Sequence, residues 1–249
     1  IGPKIRSLFL PEDGDQWVSL DYSQQEPRLL VHYAKKHGLE GAETLIRFFH
    51  EGKDFHQVTA DMAKISRKEA KTIGLGLMYG MGIAKLADSL DISPEEAKAL
   101  KKRYNDNVHF LNDIIVKATR YTEQNGYINT LLGRRCRFDL WENKDFYDKR
   151  MMNYENAKKT WAWNEMKRAG TYRALNRLIQ GSAADQTKKA MVDLWKIVGV
   201  VPMIQIHDEL NVSITNETQV KEIKEIMESA VELHVPVKCE AKIGKNWGE

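Results

Sequence analysis

Ile204-Gln205-Ile206-His207-Asp208-Glu209-Leu210-Asn211-Val212-Ser213-Ile214 places two alternating apolar runs around a short charged centre. The first run reaches back to Val200, and the pattern is that of a β-hairpin turning at His207-Asp208-Glu209. Trp17-Val18-Ser19-Leu20-Asp21-Tyr22 alternates in the same way and reads as another strand. Val237 to Ile243 closes the chain as a third. Strand signals thus sit at both ends. Between them the period changes.

Gln24 to Lys36 and Ala42 to His50 read as helices, and so does Ser66 to Tyr79. Ser66 with Glu69 three residues on is a capping box. Asp91-Ile92-Ser93-Pro94-Glu95-Glu96 opens a helix expected to run to about Gln124, with Ser93 as cap and acids in the first turn. Tyr127 to Leu132 reads as a strand and Gly133-Arg134-Arg135-Cys136-Arg137 as a basic loop. Leu140 to Gly170 is rich in Trp, Lys and Asn without usable periodicity. Thr171 to Trp195 and Asn216 to Leu233 are the last helices. A terminal sheet interrupted by a helical stretch implies an α+β domain with a helical lobe grown out of it.

The 249 residues suffice for one large or two modest domains, and 42% hydrophobic with 29% charged is ordinary for a soluble globular protein. No long apolar stretch or secretory leader is read, which points to the cytoplasm rather than to a membrane or secretion. Cys136 and Cys239 form neither a CxxC pair nor a disulfide framework, so a cysteine-built zinc site is excluded. The net charge of +3 conceals a division: residues 57–177 carry 23 Lys and Arg against 15 Asp and Glu. A basic middle between mildly acidic ends suits a polyanionic partner, and well-solvated helical faces would look the same.

Two features carry chemistry. Asp21 ends a strand and Asp208 lies in the hairpin turn. Held together, two carboxylates repel unless a cation sits between them, and Mg²⁺ suits the arrangement because it takes few protein carboxylates plus substrate phosphates. Taken singly, each is as readily an ordinary turn acid. On the Ser66 helix, Arg67, Lys71, Leu75 and Tyr79 recur every four residues and form one stripe covering roughly 18 Å of axis. That length fits an extended nucleoside triphosphate, with cations for phosphates, Leu75 for the sugar and Tyr79 near the base; an ordinary amphipathic helix with a frayed, glycine-rich end would look the same. Gly74, Gly76 and Gly80 weaken the helix and suggest close approach of a ligand or nucleic-acid strand. The glycine spacing does not match GxGxxG, and no Walker A sequence is present. His56 precedes the stripe as a phosphate donor or a structural histidine. Arg134 and Arg135 suit a phosphodiester backbone. Asn176 and Gln180, one helical turn apart, suit minor-groove acceptors.

These segments occur together and in order, and there the chain resembles the family A DNA polymerases, the DNA polymerase I type. Asp21-Tyr22-Ser23-Gln24-Gln25-Glu26-Pro27-Arg28 resembles motif A, the Arg67–Gly80 stretch motif B, and Gln205-Ile206-His207-Asp208-Glu209-Leu210 motif C. Gly133-Arg134-Arg135, Gln180-Gly181-Ser182-Ala183-Ala184-Asp185 and Gly244-Lys245-Asn246-Trp247 also have counterparts. The wording around Tyr172 and the Trp-rich stretch before it are most similar to phage-type members.

The resemblance implies a polymerase palm with an antiparallel sheet (residues 1–34 and 172–249) and a helical fingers lobe (35–171). It implies template-directed addition of dNTPs to a primer 3′-hydroxyl. Two Mg²⁺, with Mn²⁺ as a substitute, would be held by Asp21, Asp208 and the Tyr22 carbonyl, one activating the hydroxyl and one the leaving pyrophosphate. Arg67, Lys71 and His56 would bind phosphates, with Lys71 also protonating the leaving group. Glu26, paired with Tyr79, would exclude a 2′-hydroxyl, and Gln24 and Leu75 would line the nucleotide site. Arg28, Arg134, Arg135, Asn176, Gln180, His207 and Glu209 would contact primer–template DNA. Leu75 stands where the family usually has Phe or Tyr, Gly74 replaces a common Asn, and Tyr172 a frequent Arg. The thumb and 3′–5′ exonuclease do not fit ahead of Asp21, so the expectation is a catalytic-core piece of a longer chain or one served by a processivity factor. A single-subunit RNA polymerase, disfavoured by Glu26, and a non-catalytic binding module are the alternatives.

Overall fold

The computed structural model describes residues 2–145, 147–148 and 150–249. The chain runs α1 (Pro3–Arg6), β1 (Gln16–Tyr22), α2 (Gln25–Lys36), α3 (Ala42–His50), α4 (Phe55–Ala63), α5 (Arg67–Met78), α6 (Ile83–Leu90), α7 (Pro94–Asn107) and α8 (His109–Asn125). Three short strands, β2 (Tyr127–Asn129), β3 (Arg135–Arg137) and β4 (Leu140–Asn143), come next. Then follow β5 (Met151–Asn153), α9 (Tyr154–Thr160), β6 (Met166–Arg168), α10 (Ala174–Val198), β7 (Ile204–Ile206), β8 (Glu209–Ile214), α11 (Glu217–Ser229) and β9 (Cys239–Gly244). No helix of the described residues is long and apolar enough to cross a membrane. The described chain forms two compact units. One holds the segments ending at His32 and beginning at Ser182, and the other spans Tyr33–Gly181.

The first unit is built on an antiparallel sheet of order β7-β8-β1-β9. Alternation along β1 sends Val18, Leu20 and Tyr22 to one face, where they meet Leu210, Val212 and Ile214. Leu194 of α10 and Ile223 and Met227 of α11 complete this core. Truncating any one of these buried aliphatics to Ala should cost about 2–5 kcal/mol. The opposite face therefore receives the polar positions of the same strands: Ser19 opposite Asn211 and Lys242, and Asp21 opposite Glu209 and Glu240. Period two collects the acids.

The second unit differs from the sequence expectation in four places. The helix expected from Ser93 to Gln124 is two helices, broken at Val108 (φ −122°, ψ 58°). Val108 is wholly buried there, and the poor helix formers Asn105-Asp106-Asn107 precede it. The basic loop is instead a hairpin in which β3 pairs with β2, Tyr127 opposite Arg137. The stretch without periodicity holds a three-stranded sheet of order β5-β4-β6, closed by α9 over Trp161 and Met166. Finally, Gly74, Gly76 and Gly80 make room for the chain's own side chains. A Cβ would meet the Tyr104 hydroxyl at 3.0 Å, the Met81 sulfur at 2.9 Å and the Tyr172 ring at 2.9 Å. Internal packing accounts for all three.

Candidate active site

The first unit displays carboxylates at the edge where β1 leaves the sheet. The register sets Asp21 opposite Glu209, and the Tyr22 amide donates to the Asp208 carbonyl at 3.3 Å. His207 takes the left-handed conformation (φ 53°), which turns the hairpin tightly enough to bring the Asp208 side chain onto that of Asp21. The two carboxyl groups lie within interaction distance of one another. Asp21 is pushed up to about 6, first by loss of hydration against the sheet, then by the charges of Asp208, Glu209 and Glu240. Asp208 is also raised, again mainly by lost hydration. Two carboxyls held this close repel when both are ionised unless a cation sits between them.

The neighbouring acid is held differently. Glu209 Oε1 accepts from Asn211 Nδ2 at 2.7 Å and from Trp247 Nε1 at 2.9 Å. Asn211 Oδ1 accepts in turn from Trp17 Nε1 at 2.9 Å and Ser19 Oγ at 2.7 Å. This chain of neutral donors fixes Glu209 to the sheet and keeps it off the Asp pair. It borders a cleft of about 570 Å³ that also takes in Asp21, Glu240 and Lys242. Asn211 was not anticipated as a support for Glu209, and Trp247 entered the sequence reading only as part of the Gly244–Trp247 counterpart; Asn211 lies in the polar register of β8, opposite Ser19.

Tyr22 points its ring into the core and donates its hydroxyl to the Met227 carbonyl at 2.8 Å, so only its backbone oxygen is left for a ligand. Arg28 is buried, donating to the carbonyls of Ser23 at 2.7 Å and Pro236 at 2.5 Å. It braces the loop after β1, a consequence of α2 facing inward there, so the structure does not place it on a free surface for a duplex. Gln24, half-buried and left-handed (φ 53°), immediately precedes α2, Glu26 is half-buried in its first turn, and His207 is exposed.

Two carboxylates and one carbonyl form a sparse donor set, and among the described residues no group of three or more His, Cys, Asp or Glu is disposed as a metal cage. Mg²⁺ asks for little more, because it keeps waters and takes substrate phosphate oxygens as ligands. A divalent cation between the two carboxylates would relieve their mutual repulsion. The residues fit Mg²⁺.

The second unit carries the cations. In α5, Ala70, Ile73, Gly74 and Met78 face inward, while Arg67, Lys71 and Tyr79 are exposed and Leu75 half-exposed. Four-residue spacing gives one outward stripe, begun by the Ser66–Glu69 capping box. Asp54 was not anticipated. It caps α4, accepting from the Gln57 amide at 2.8 Å, and holds Arg67 by two bonds of 3.0 Å. Partial burial would raise its pKa, but the Arg67 and backbone bonds outweigh that and lower it. His56, on α4, is buried, with Nδ1 unpartnered. Its pKa is lowered, first by burial, with Asp54 opposing and Lys71 and Arg67 reinforcing. It is therefore neutral at pH 7, with one N–H to give.

The predicted DNA contacts of this unit lie on two elements. Arg134 reaches from the hairpin turn to the Gly181 carbonyl at 2.8 Å, and Arg135 stacks on Tyr127 at 4.1 Å. A Cβ at Gly181 would meet the Thr130 methyl at 2.5 Å, so glycine lets helix and hairpin touch. Asn176 is half-buried and Gln180 exposed on α10.

Comparison with known proteins identifies the family. The model of DNA polymerase family A matches residues 1–249, and the chain belongs to that family. A DNA-directed DNA polymerase of Pseudomonas phage M6 is 36% identical over 98% of this chain and 40% of its own length. The thermostable DNA polymerase I of Thermus aquaticus is 34% identical over 99% of this chain and 29% of its own. The POL domain of Pol1 from M. smegmatis, solved with DNA primer-template and dNTP, superposes with a TM-score of 0.77 at 29% identity. It covers 99% of this chain and 42% of that one. The chain thus spans less than half the length of these relatives.

Proposed function

We infer that this chain carries the nucleotidyl-transfer core of a template-directed DNA polymerase, with the first unit as palm and the second as fingers. The observation that carries this reading is the close Asp21–Asp208 pair at the edge of the sheet, where burial and the neighbouring acids push Asp21 up to about 6. A family relative solved with primer-template and dNTP supports the substrate class.

In this reading Asp21, Asp208 and the Tyr22 carbonyl would hold two Mg²⁺, or Mn²⁺ in their place, which would supply acidification of the primer 3′-hydroxyl and charge neutralisation on the phosphates. The 3′-oxygen forms a bond to the α-phosphorus of a dNTP as the α–β bridging bond breaks, and pyrophosphate leaves. Arg67 and Lys71 neutralise the phosphate oxygens as charge develops, and Lys71 gives a proton to the departing pyrophosphate. His56 donates one hydrogen bond without adding charge. Leu75 packs the sugar, Tyr79 the base, and Glu26 with Gln24 close the sugar side against a 2′-hydroxyl. Arg134, Arg135, Asn176, Gln180 and His207 hold primer–template DNA. Glu209 serves by keeping the hairpin in register. The phage relative supports a bacterial cytoplasm as the compartment.

Single-nucleotide primer extension tests this. The 249-residue chain, a primed DNA template, Mg²⁺ and each dNTP or rNTP in turn should give templated dNTP addition that disappears in Asp208→Asn. A folded chain that binds the duplex yet adds nothing, or adds rNTPs as well as dNTPs, overturns the reading.

A further inference from the structure

The sheet β5-β4-β6 carries a feature that the polymerase reading leaves unused. Trp163 is 67% exposed, an unusual state for the largest apolar side chain. The turn that presents it is firmly tied. The Ala162 amide donates to the Glu165 side chain at 3.0 Å and the Lys144 amide to the Glu165 carbonyl at 2.7 Å. Lys144 Nζ donates to the Asn164 carbonyl at 2.7 Å. A tied turn that holds an indole in water is built for display.

The surroundings say what the indole is displayed to. Trp163 lies 5.7 Å from Trp141, tilted by 48°, and the Arg168 guanidinium covers Trp141 at 4.8 Å. Trp141 packs on the small core of Trp161 and Met166, so it is the fixed wall and Trp163 the free one. Together with Lys144, Lys167 and Arg168 they line a cleft of about 720 Å³ in which Glu123 is the acid. Lys144 and Lys167 are exposed, and Lys167 reaches Glu142 only at 3.5 Å. An aliphatic protein segment would want aliphatic walls and a neutral rim. A π-face beside three cations suits unpaired bases and their phosphates.

We propose that this cleft binds single-stranded DNA, one base stacking on Trp163 with the adjoining phosphates on Lys144 and Lys167. The binding stands apart from the nucleotidyl-transfer reading, since it needs neither a metal nor a dNTP.

The test is fluorescence anisotropy of a labelled oligo(dT) with the 249-residue chain in metal-free buffer. Trp163→Ala should weaken binding about tenfold, and Trp163→Phe should recover part of the loss. Trp195, 62% exposed on α10 and outside this cleft, provides the control: Trp195→Ala should leave the affinity unchanged. Replacing Lys144 and Lys167 together by Gln should flatten the dependence of log K on log salt by about 1.4, two contacts at about 0.7 each. Affinity for a blunt duplex should not move in Trp163→Ala, which separates loss of this site from loss of the fold. The proposal is overturned if the chain does not bind oligo(dT), if Trp163→Ala binds it as the parent does, or if Trp163→Ala weakens duplex and single strand equally.

Discussion

The carboxylate edge of the first unit and the cationic stripe of the second are opposite in charge and in construction. The edge is set by strand register: Asp21 faces Glu209 because β1 and β8 pair there, and the acid pair follows from a two-residue turn. The stripe is set by helical period, with Arg67 held by Asp54. A network of neutral donors pins Glu209 rigidly in the first, whereas the second leaves Lys71 and Tyr79 exposed. Each side gathers like charges. Strand register fixes the position of the first set, whereas a helical stripe of long side chains leaves the second its reach.

If that contrast holds, removing charge at the edge has the largest effect. Asp208→Asn should lower single-nucleotide extension by about 10³-fold or more, while raising the melting temperature in metal-free buffer because a repulsion is gone. A variant that loses activity and stability together would show instead that Asp208 holds the fold. Lys71→Ala should cost about 10²–10³-fold in kcat, and Lys71→Arg should recover part, since phosphate neutralisation needs charge more than exact geometry. Equal losses in Ala and Arg would make proton donation to pyrophosphate the dominant task.

The two regions should also respond to pH with opposite sign. Asp21 is raised from 3.8 to about 6, so its favourable protonated state is complete below 3.8 and the stability it contributes is lost as pH rises through 6. His56 is lowered from 6.5, so its contribution is present above 6.5 and lost as pH falls below it. Hydrogen exchange without metal should therefore show β1 and β8 opening more easily from pH 5 to 7, and α4 and α5 less easily. Asp21→Asn should flatten the first trend and His56→Gln the second. Mg²⁺ should flatten the first alone. Parallel trends in both units would break the comparison.

How much of this could be read from the chain follows the same division. Alternation over Trp17–Tyr22 and Ile204–Ile214 sufficed to place both aspartates on one sheet, and the capping boxes at Ser66 and Ser93 gave two helix starts. What failed was whatever depends on distant packing. No Pro or Gly marks the break at Val108, which exists because that side chain is buried. The strands of Leu140–Arg168 are three or four residues long, too short for alternation to register. Arg28 looks like any surface cation until α2 turns it inward. The motif B glycines look like ligand space until Tyr104, Met81 and Tyr172 fill it. Asp54 sits in an unremarkable Gly-Lys-Asp-Phe run, and its bond to Arg67 joins two helices that sequence spacing does not connect.

Asp54 gives the smallest expected effect and the finest cut. It does two things, capping α4 and orienting Arg67, and side-chain chemistry separates them. Asp54→Asn keeps an oxygen for the Gln57 amide and gives up the charged pair, which contributes little to stability because Arg67 is exposed to solvent. Its melting temperature should stay near that of the parent, while the KM for dNTP rises a few-fold as Arg67 loses its fixed direction. Asp54→Ala also loses the cap, about 1 kcal/mol more, and should melt lower with the same KM. Were Asn to leave KM unchanged, Arg67 would find the phosphates unaided, and the stripe would be wholly adaptive. Were Asn instead to raise KM as far as Arg67→Ala does, one residue of the stripe would be positioned as strictly as the carboxylates, and the contrast between the two regions would narrow to Lys71 and Tyr79.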